Sequence, residues 1–566
     1  MNDAKQKTLK DSVAMRWLAL ILVSGLMLAT YWFQDFFSGL KGMMETQMGF
    51  TSEEFGRLIG LTTIANMFGM IIVGGMILDK WGVRIAGLAF GGLAVLGGAI
   101  TALASAGYFG ADHSTQLTFM IIGRILFGSG LEVVCVVATT TMVKWFKGYE
   151  LALAMAINMG FGRLGSAMGI ALSPDISGTV SPAVTFAAAL LGVTFIMFVI
   201  YVFFDVKLDR QMKAKKAAKA AETGETEEEE EFKFSDLFKL IKNPSFIYIA
   251  LLCVSFYAAV FPFIQYAPDL LINKFNFTAV LPEGGFQING STSFGTAVIY
   301  IGLFVYALLF SIVPSRMKTM TNKVVSLILI VGSFALLIYL LRDTFAIWFK
   351  NGSKTASLIP LGTIIFTPIF GNYVDRKGKA ASLMILGSLL LIFAHLSLSL
   401  FNSVMLAYLG LLSLGIAFSL VPAAMWPSVA KIVPQRRLGT AYSTMFTIQN
   451  WGLGAFFWGI GALLQSVNPT VVANRQALNA KLENLGMSQS EISQEIVKMK
   501  DPNPNIVSEF GEYTQEYIYD YTIPIFILVI CGVISIFLAF KLKQADNRQG
   551  YGLELPSGEK AEGTVD

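Results

Sequence analysis

The sequence has 566 residues, of which 54% are hydrophobic and 14% are charged. A soluble globular protein carries roughly 25% charged residues, so this composition excludes an ordinary soluble domain and indicates a membrane protein. The net charge of +4 gives no indication of nucleic-acid binding, and the three cysteines lie in apolar segments, where we expect neither disulfides nor a metal site.

Apolar segments long enough to cross a bilayer follow one another along the chain. A span takes about 20 mostly apolar residues, and in lipid a helix satisfies its own backbone groups. The first predicted spans lie near residues 17–39, 56–78, 85–107, 117–142, 150–172 and 182–204. Further spans are predicted near 244–271, 293–313, 324–342, 354–374, 380–401, 404–430, 438–466 and 521–540. We therefore predict an all-α polytopic membrane protein with about 14 transmembrane helices.

The loops between these spans give the orientation and the domain organisation. Basic pairs such as Lys144 with Lys147 and Arg436 with Arg437 fall on the side of the N-terminus, as the positive-inside rule requires of cytoplasmic loops. We expect the first apolar run to be a retained helix and not a cleaved signal. The predicted parts are an N-terminal six-helix bundle (1–206), a charged cytoplasmic linker (207–243), a C-terminal bundle (244–545) and a disordered cytoplasmic tail (546–566). Two inserted helices at 293–342 and an external loop at 467–520 interrupt the C-terminal bundle.

One short pattern occurs twice, each time where an apolar segment ends. Its copies contain Gly75, Asp79, Lys80, Gly82 and the following Arg84, and then Gly371, Asp375, Arg376 and Gly378. Glycine permits a tight turn, and an acid at a helix end can cap a helix or pair with a base. The repeated G-x-x-x-D-[KR]-x-G loop resembles the signature of the major facilitator superfamily, which implies two six-helix halves and transport by alternating access. We expect the loops to latch the halves together in the outward-open state; a plain positive-inside loop is the alternative.

Several ionisable residues are predicted inside spans, where a charge is costly and usually functional. The clearest are Asp35, Arg124, Glu132 and Arg163. Arg124, with Gly128 and Gly130 after it, resembles a second superfamily signature, and Glu132 lies about 12 Å farther along the same helix. Glu132 and Arg163 suit a zwitterion, because the acid can hold an ammonium group and the arginine a carboxylate. A buried structural pair of Glu132 with either arginine, or a proton carrier at Glu132 or Asp35, is the alternative.

Further motifs narrow the resemblance. They are Trp145-Phe146-Lys147-Gly148, Arg163-x-Gly165-Ser166, Phe261-Pro262-Phe263-Ile264, Trp426-Pro427, Leu438-Gly439-Thr440-Ala441-Tyr442 and Ile448-Gln449-Asn450. In this order they resemble the major facilitator superfamily domain-containing protein 1 family of lysosomal dipeptide uniporters. The resemblance implies uniport of dipeptides, favouring those with Lys, Arg or His side chains, and it implies that Glu132 and Arg163 contact the substrate.

The same resemblance bears on three further candidate substrate residues and on the membrane in which the protein resides. Asp35 becomes a candidate partner for a cationic substrate side chain, and Gln449 and Asn450 are candidates for neutral hydrogen bonds. The two inserted helices and the larger external loop depart from the family pattern. Thr8-Leu9-Lys10 is not an acidic dileucine sorting signal. We therefore favour the cell membrane, such as a bacterial inner membrane, with the lysosomal membrane as the alternative in a eukaryote.

Three other classes of function are weighed against a dipeptide uniporter. A proton-coupled symporter of another small organic anion or zwitterion is the first alternative. A receptor or scaffold has no need of a repeated latch loop. We predict no enzyme, because the sequence offers no nucleophile–base set, no metal spacing and no phosphate loop. The expected partners are a dipeptide and the lipid bilayer, without nucleic acid or cofactor, and a homodimer is left open.

Overall fold

The computed structural model of the protein describes residues 8–223, 240, 242–279, 285–434, 438–487 and 517–556. These residues are mainly helical, and no β-strand occurs among them. The N-terminal half contains α1 Val13–Asp35, α2 Lys41–Met48, α3 Ser52–Gly60, α4 Ile64–Met67, α5 Met70–Ser105, α6 His113–Phe146, α7 Leu151–Leu172 and α8 Val180–Thr223. The C-terminal half contains α9 Pro244–Phe275, α10 Thr292–Arg316, α11 Met320–Leu340, α12 Arg342–Trp348, α13 Gly352–Lys377, α14 Ala380–Leu400, α15 Val404–Ile432, α16 Leu438–Val467, α17 Val471–Asn484 and α18 Thr522–Gln549.

Several long helices begin at a residue whose side chain replaces missing backbone hydrogen bonds. Asp112 accepts a hydrogen bond from the Thr115 N–H at the start of α6. Asn351 does the same for the Lys354 N–H at the start of α13. The first N–H groups of a helix have no partner within it, so such caps fix where the helix begins.

The number of spans differs from the fourteen expected when it is judged by length and hydropathy. Eleven of the described helices are long and apolar enough to cross a membrane, or twelve if α16 and α17, bent by 75°, form one span. The difference lies at two places. The second predicted span, 56–78, covers parts of α3 and α5 with α4 between them, and α5 continues past a kink at the non-helical Gly82 into the third predicted span. α7 is not among the eleven; it carries Asn158 and Arg163, whose polar side chains lower its hydropathy.

Glycines bring the helices of the N-terminal half close together. A Cβ atom on Gly130 would lie 2.2 Å from the Phe90 carbonyl oxygen of α5. One on Gly128 would lie 1.8 Å from the carbonyl oxygen of Thr62, in the turn between α3 and α4. Both motif glycines therefore let the backbone of α6 approach its neighbours more closely than any other residue would allow.

The two halves pack against each other at one end of the bundle. At the end that carries α2 and α17, which we call the external end, α3 packs on α16 and α7 packs on α13. A Cβ atom on Gly56 would there lie 3.1 Å from the Cα of Gly461 in the opposite half. Because the external end is closed on the predicted orientation, we assign the conformation to the inward-open side of the transport cycle.

The inserted helices predicted at 293–342 are α10 and α11. They pack on each other, and α10 also contacts α7 and α13. α11 has no buried residue. It stands at the periphery of the C-terminal half, with most of its surface toward the surrounding membrane.

The structure alters both cytoplasmic boundaries that we expected. α8 continues to Thr223, beyond the predicted end of the first bundle at residue 206. The predicted disordered tail begins inside α18 and then docks on the C-terminal half. The Lys379 N–H donates to the Glu554 carbonyl oxygen at 3.0 Å, and the Lys431 ammonium group donates to the Leu555 carbonyl oxygen at 2.7 Å. Residues 550–556 are thus held by backbone and charge-assisted hydrogen bonds. The described residues do not include most of 224–243, residues 488–516 of the predicted external loop, or residues 557–566.

Candidate functional site

A cavity of about 170 Å³ lies between the two halves, beneath the closed external end. It brings together all five residues that the sequence predicts for the substrate: Asp35, Glu132, Arg163, Gln449 and Asn450. The N-terminal half supplies the three charged residues, on α1, α6 and α7. The C-terminal half supplies the two amides, both on α16. A solute in this cavity would contact both halves at once, as alternating access requires.

Glu132 and Arg163 face the cavity without binding each other. The Arg163 guanidinium lies 4.4 Å from the centroid of the Phe418 ring, on α15 of the other half. The Asn450 side chain lies beside the Glu132 carboxyl group. Within the described part of the chain, no ion pair of 4.0 Å or less joins Glu132 to Arg163 or to Arg124. The structural pair considered from the sequence is therefore not formed in this conformation.

Arg124 has a different environment, which accounts for its place in a superfamily motif. It is fully buried, and it donates to the Phe33 carbonyl oxygen at 2.7 Å and to the Gln34 side-chain oxygen at 3.3 Å. The rings of Phe37 and Phe127 lie 5.1 and 5.2 Å from the guanidinium carbon. Arg124 therefore ties α6 to the end of α1 and satisfies the carbonyl groups where α1 ends.

Asp35 closes the cavity at its external end and links the two halves. Its carboxylate accepts a hydrogen bond from the Ser166 hydroxyl of α7 and one of 2.6 Å from the Gln265 amide of α9. Gln265 is 1% exposed, and its side-chain oxygen has no hydrogen-bond partner. Sequence reasoning missed Gln265; an amide three residues after Pro262 in an apolar span was the available signal.

Aromatic side chains form much of the wall on the C-terminal side. The Trp426 indole N–H donates to the Tyr257 hydroxyl at 3.2 Å. Tyr257 stacks on Phe261 with ring centroids 5.3 Å apart, and Trp426 stacks on Phe446 at 4.9 Å. Phe261 and Trp426 belong to family-like motifs, but their spacing could not assign them to the cavity or to the lipid. The flat faces of these rings opposite Glu132 and Arg163 offer contact area to an apolar or cationic side chain.

Buried charges close the external end, above the cavity. The Lys41 ammonium group of α2 binds Glu45 and, at 2.9 Å, Asp269 of α9. Arg475 of α17 binds the Glu45 carboxylate at 3.2 Å, and the Tyr519 hydroxyl donates to it at 3.0 Å. We call Lys41, Glu45, Asp269 and Arg475 the external cluster. The helices that carry this cluster lie far apart along the chain, so their spacing in the sequence could not bring them together.

A second ion pair closes the other flank of the external end. The Lys354 ammonium group at the start of α13 binds Asp175, which follows α7, and the Ala171 carbonyl oxygen. Both partners are buried, with side-chain exposures of 1% and 7%. The closed end therefore has a charged contact between the halves on each side of the cavity.

Comparison with known proteins agrees with this architecture. The family model of the Major Facilitator Superfamily matches residues 20–352, more than half of the chain. The chain belongs to the major facilitator superfamily. It is thus an integral, multi-pass membrane transporter, and not an enzyme.

Relatives within the superfamily confirm the narrower resemblance. The lysosomal dipeptide transporter MFSD1 of Mus musculus is 25% identical over 473 residues, covering 80% of this chain and 81% of that protein. The protein of the same name in Homo sapiens is 24% identical over 473 residues, with the same coverage. That of Danio rerio is 24% identical over 466 residues, covering 79% and 80%. The chain is therefore an MFSD1-like member of the superfamily.

Solved structures of the superfamily share the fold. The xylose transporter XylE from E. coli, in an inward open conformation, has a TM-score of 0.53 at 10% identity and covers 98% of this chain and 97% of its own. A bacterial homologue of the human lysosomal transporter Spinster has a TM-score of 0.52 at 12% identity and covers 97% and 100%. At this identity the likeness concerns the fold alone.

The first copy of the repeated superfamily loop leads to the kink at Gly82 within α5, and the second copy spans the end of α13. Arg84, after the first copy, binds Asp209 of α8 at 2.9 Å, within its own half. Gly82 has a φ of +79° and Gly378 one of +69°, a left-handed region that glycine tolerates best. A Cβ atom on Gly378 would lie 2.4 Å from the Glu554 carbonyl oxygen of the docked tail. The predicted latch between the halves belongs to the outward-open state and stays a prediction.

Proposed function

We propose that this transporter carries dipeptides, with Glu132 holding the peptide ammonium group and Arg163 its carboxylate. One observation supports this assignment. Glu132 and Arg163 lie on neighbouring helices and line the same cavity, but they do not form an ion pair with each other. A zwitterionic solute supplies each charge with an opposite partner, which offsets the cost of keeping both in a cavity shielded from water. The curated relatives are named as dipeptide transporters, which agrees with this chemistry.

A cationic substrate side chain is proposed to reach Asp35. Asp35 lies at the external end of the cavity, and both groups that now donate to its carboxylate, Ser166 and Gln265, are neutral. A Lys, Arg or His side chain would replace the Gln265 amide with a charge-assisted hydrogen bond, which is roughly twice as strong as a neutral one. The preference for cationic dipeptides rests on this exchange. Gln449 and Asn450 are proposed to donate or accept the remaining neutral hydrogen bonds.

Transport is proposed to proceed as uniport by alternating access. In the inward-open state the halves are joined by the external cluster, by Lys354 with Asp175, and by Asp35 with Gln265. Each of these contacts joins one half to the other, so each must open when the cavity turns outward. Substrate binding at Asp35 would weaken one of them directly and so lower the cost of that step.

A proton-coupled symporter of another organic anion or zwitterion is the second candidate. It is favoured by two carboxyl groups of the cavity, the buried Asp35 and the half-buried Glu132, which have neutral hydrogen-bonding neighbours and no described cation at salt-bridge distance. Such a carboxyl group can take up a proton when it loses its polar neighbours. Uptake into proteoliposomes distinguishes the candidates: uniport of a dipeptide persists with a protonophore, whereas proton-coupled accumulation collapses.

Ligand-induced thermal stabilisation of the purified protein tests the substrate. A ligand present at 100 times its Kd stabilises the folded protein by about 2.7 kcal/mol. Lysyl-alanine is expected to raise the melting temperature of the wild type, and free lysine or alanine is not. Glu132→Gln and Arg163→Gln should each abolish the rise without lowering the melting temperature of the unliganded protein.

Matched variants keep this test specific. Asp343→Asn removes an acid with a side-chain exposure of 89%, and Arg210→Gln removes an exposed cytoplasmic arginine. Both should respond to lysyl-alanine as the wild type does. Normal binding in Glu132→Gln, or stabilisation by other solutes and not by dipeptides, would show that the substrate is assigned wrongly.

The membrane of residence is proposed to be the cell membrane, because Thr8-Leu9-Lys10 lacks the acidic residues of a dileucine signal. The names of the relatives favour the lysosomal membrane instead. A fluorescently tagged full-length chain at the cell surface would support the first location, and its accumulation in lysosomes the second.

A further inference from the structure

A larger cavity lies outside the transport path, between the inserted helices and the rest of the C-terminal half. Its volume is about 520 Å³. α10, α11 and α13 form its sides, α12 covers its external end, and α15 contributes one residue. We call it the lateral cavity; Ala307, Phe334, Trp348, Gly362 and Leu412 are among its lining residues.

The walls of the lateral cavity offer almost nothing to a polar molecule. Leu303, Ile330 and Leu361 are typical of the lining, and its polar side-chain groups are those of Tyr306 and Lys354 and the indole N–H of Trp348. The Lys354 ammonium group is already bound to Asp175 and to the Ala171 carbonyl oxygen. A buried water needs two to four polar partners, while an apolar cavity of about 150 Å³ stays dry and binds benzene. A cavity of this size and lining therefore suits a long apolar molecule.

The cavity opens sideways, toward the surrounding membrane. Val331 of α11 and Leu412 of α15 line it and are 52% and 51% exposed, so they mark its mouth. On two of the helices the lining residues come from the external part of the span: 354–366 of α13, which begins at the external end, and 330–338 of α11, which ends there. On the predicted orientation, the mouth faces the acyl chains of the outer leaflet.

Basic and aromatic groups surround the external end of the cavity. Phe345 and Trp348 of α12 line it, and the exposed Lys350 follows directly. Arg342, at the other end of α12, has a side-chain exposure of 61%; it lies 5.0 Å from the Tyr339 ring and 3.7 Å from the Asp343 carboxylate. Tryptophan and tyrosine favour the level of the lipid headgroups, and lysine and arginine there attract phosphate. The exposed ammonium group of Lys350 complements a phosphate group, which favours a phospholipid over a second copy of the chain as the occupant.

We propose that the lateral cavity binds one glycerophospholipid of the outer leaflet, with an acyl chain between α11 and α13 and its phosphate at Lys350. The lipid fills the space between the inserted helices and the C-terminal half. The lipid thereby gives α11, which has no buried residue, a packing partner on the side that faces α13. The inserted pair is then a lipid-binding element and not a part of the transport path.

Native mass spectrometry of the full-length protein after extensive delipidation tests the site. Gly362 lines the cavity, and a Cβ atom there meets only the Phe366 ring, at 3.7 and 3.8 Å, so the Gly362→Leu side chain would grow into the cavity. Gly332→Leu is the matched control on α11, where a Cβ atom meets nothing within 4 Å. The wild type and Gly332→Leu are expected to retain one phospholipid adduct, and Gly362→Leu to lose it.

A titration with phosphatidylglycerol separates the headgroup from the acyl chain. Lys350→Gln should weaken phosphatidylglycerol binding about fivefold, as expected for one basic residue near a phosphate. Diacylglycerol should bind the wild type and Lys350→Gln equally. Retention of the adduct in Gly362→Leu, or no adduct in the wild type, would overturn the proposal. So would a dimer in the wild type that Gly362→Leu dissociates, because a second copy would then be the occupant.

Discussion

Removal of the Lys41 ammonium group is expected to shift the transporter from the inward-open toward the outward-open conformation. The external cluster contains two bases and two acids, all with side-chain exposures of 5% or less. Lys41→Met leaves Glu45 and Asp269 with Arg475 alone, so a neutral cluster acquires a net charge of −1. Burying an unpaired charge costs about 3–5 kcal/mol, because neither water nor a partner replaces the lost interaction.

This cost applies only to the conformation in which the cluster is buried. When the external end opens, water reaches the carboxylates and the penalty largely disappears. About 5.5 kcal/mol is needed to invert a 99:1 equilibrium, so a change of 3–5 kcal/mol should bring a minor outward-open state to a comparable or dominant population. Lys41→Met/Asp269→Asn restores a neutral cluster, and it should return most of the population to the inward-open state.

Double electron–electron resonance between spin labels on the two halves measures this shift. Tyr108 lies on the N-terminal half and is 77% exposed, and Phe401 lies on the C-terminal half and is 50% exposed, both at the external end. Lys41→Met should lengthen the distance between labels at these positions. The exposed Lys350→Met is the matched control and should leave the distances unchanged. Identical distance distributions in Lys41→Met and the wild type would refute the role of the external cluster as a gate.

Three further predictions follow from other contacts. Asp35→Asn is expected to reduce the preference for lysyl-alanine over alanyl-alanine about tenfold in competition binding, because a hydrogen bond to a charged group contributes about 1.5–3 kcal/mol. An unchanged preference would exclude the proposed role of Asp35. Gly130→Val should lower the free energy of unfolding by about 1–3 kcal/mol or prevent folding, because its Cβ atom would lie 2.2 Å from a backbone oxygen. Gly192→Val is the control, because a Cβ atom there meets no atom within 4 Å. Fluorescence-detected size exclusion should show a loss of folded protein for Gly130→Val and a wild-type profile for Gly192→Val. Lys431→Met removes two hydrogen bonds to carbonyl groups of the docked tail. Amide hydrogen exchange over residues 550–556 should therefore become at least about tenfold faster. Exchange at the wild-type rate would show that the tail is held by other contacts.

The sequence predicted the fold because its signals are local. Apolar segments of about 20 residues mark spans regardless of what packs against them. The repeated Gly75 and Gly371 loops, and Gly128 with Gly130 after Arg124, indicated the superfamily by residue type and spacing alone. The number of spans depends on features that hydropathy does not show, because the second predicted span is divided among α3, α4 and α5, and Arg163 lowers the hydropathy of α7.

The candidate site was predicted only in part. Asp35, Glu132 and Arg163 could be found because a charge in an apolar span is conspicuous. Neutral residues such as Gln265 and Tyr257 carried no such signal, since nothing in a sequence tells which face of an apolar helix meets the cavity and which meets lipid. Tyr257 reaches the cavity only because α9 packs against α16 and α13.

The sequence by itself determined that this chain is a duplicated helical transporter with an acid and a base at membrane depth. The tertiary structure decided which charges bind one another. Lys41 and Arg475 are more than four hundred residues apart, yet both bind Glu45; Asp35 and Gln265 meet only because the halves are closed at the external end. Hydropathy and turn chemistry act between near neighbours in the chain, whereas ion pairs depend on distance in space, and only packing of the two halves sets that distance.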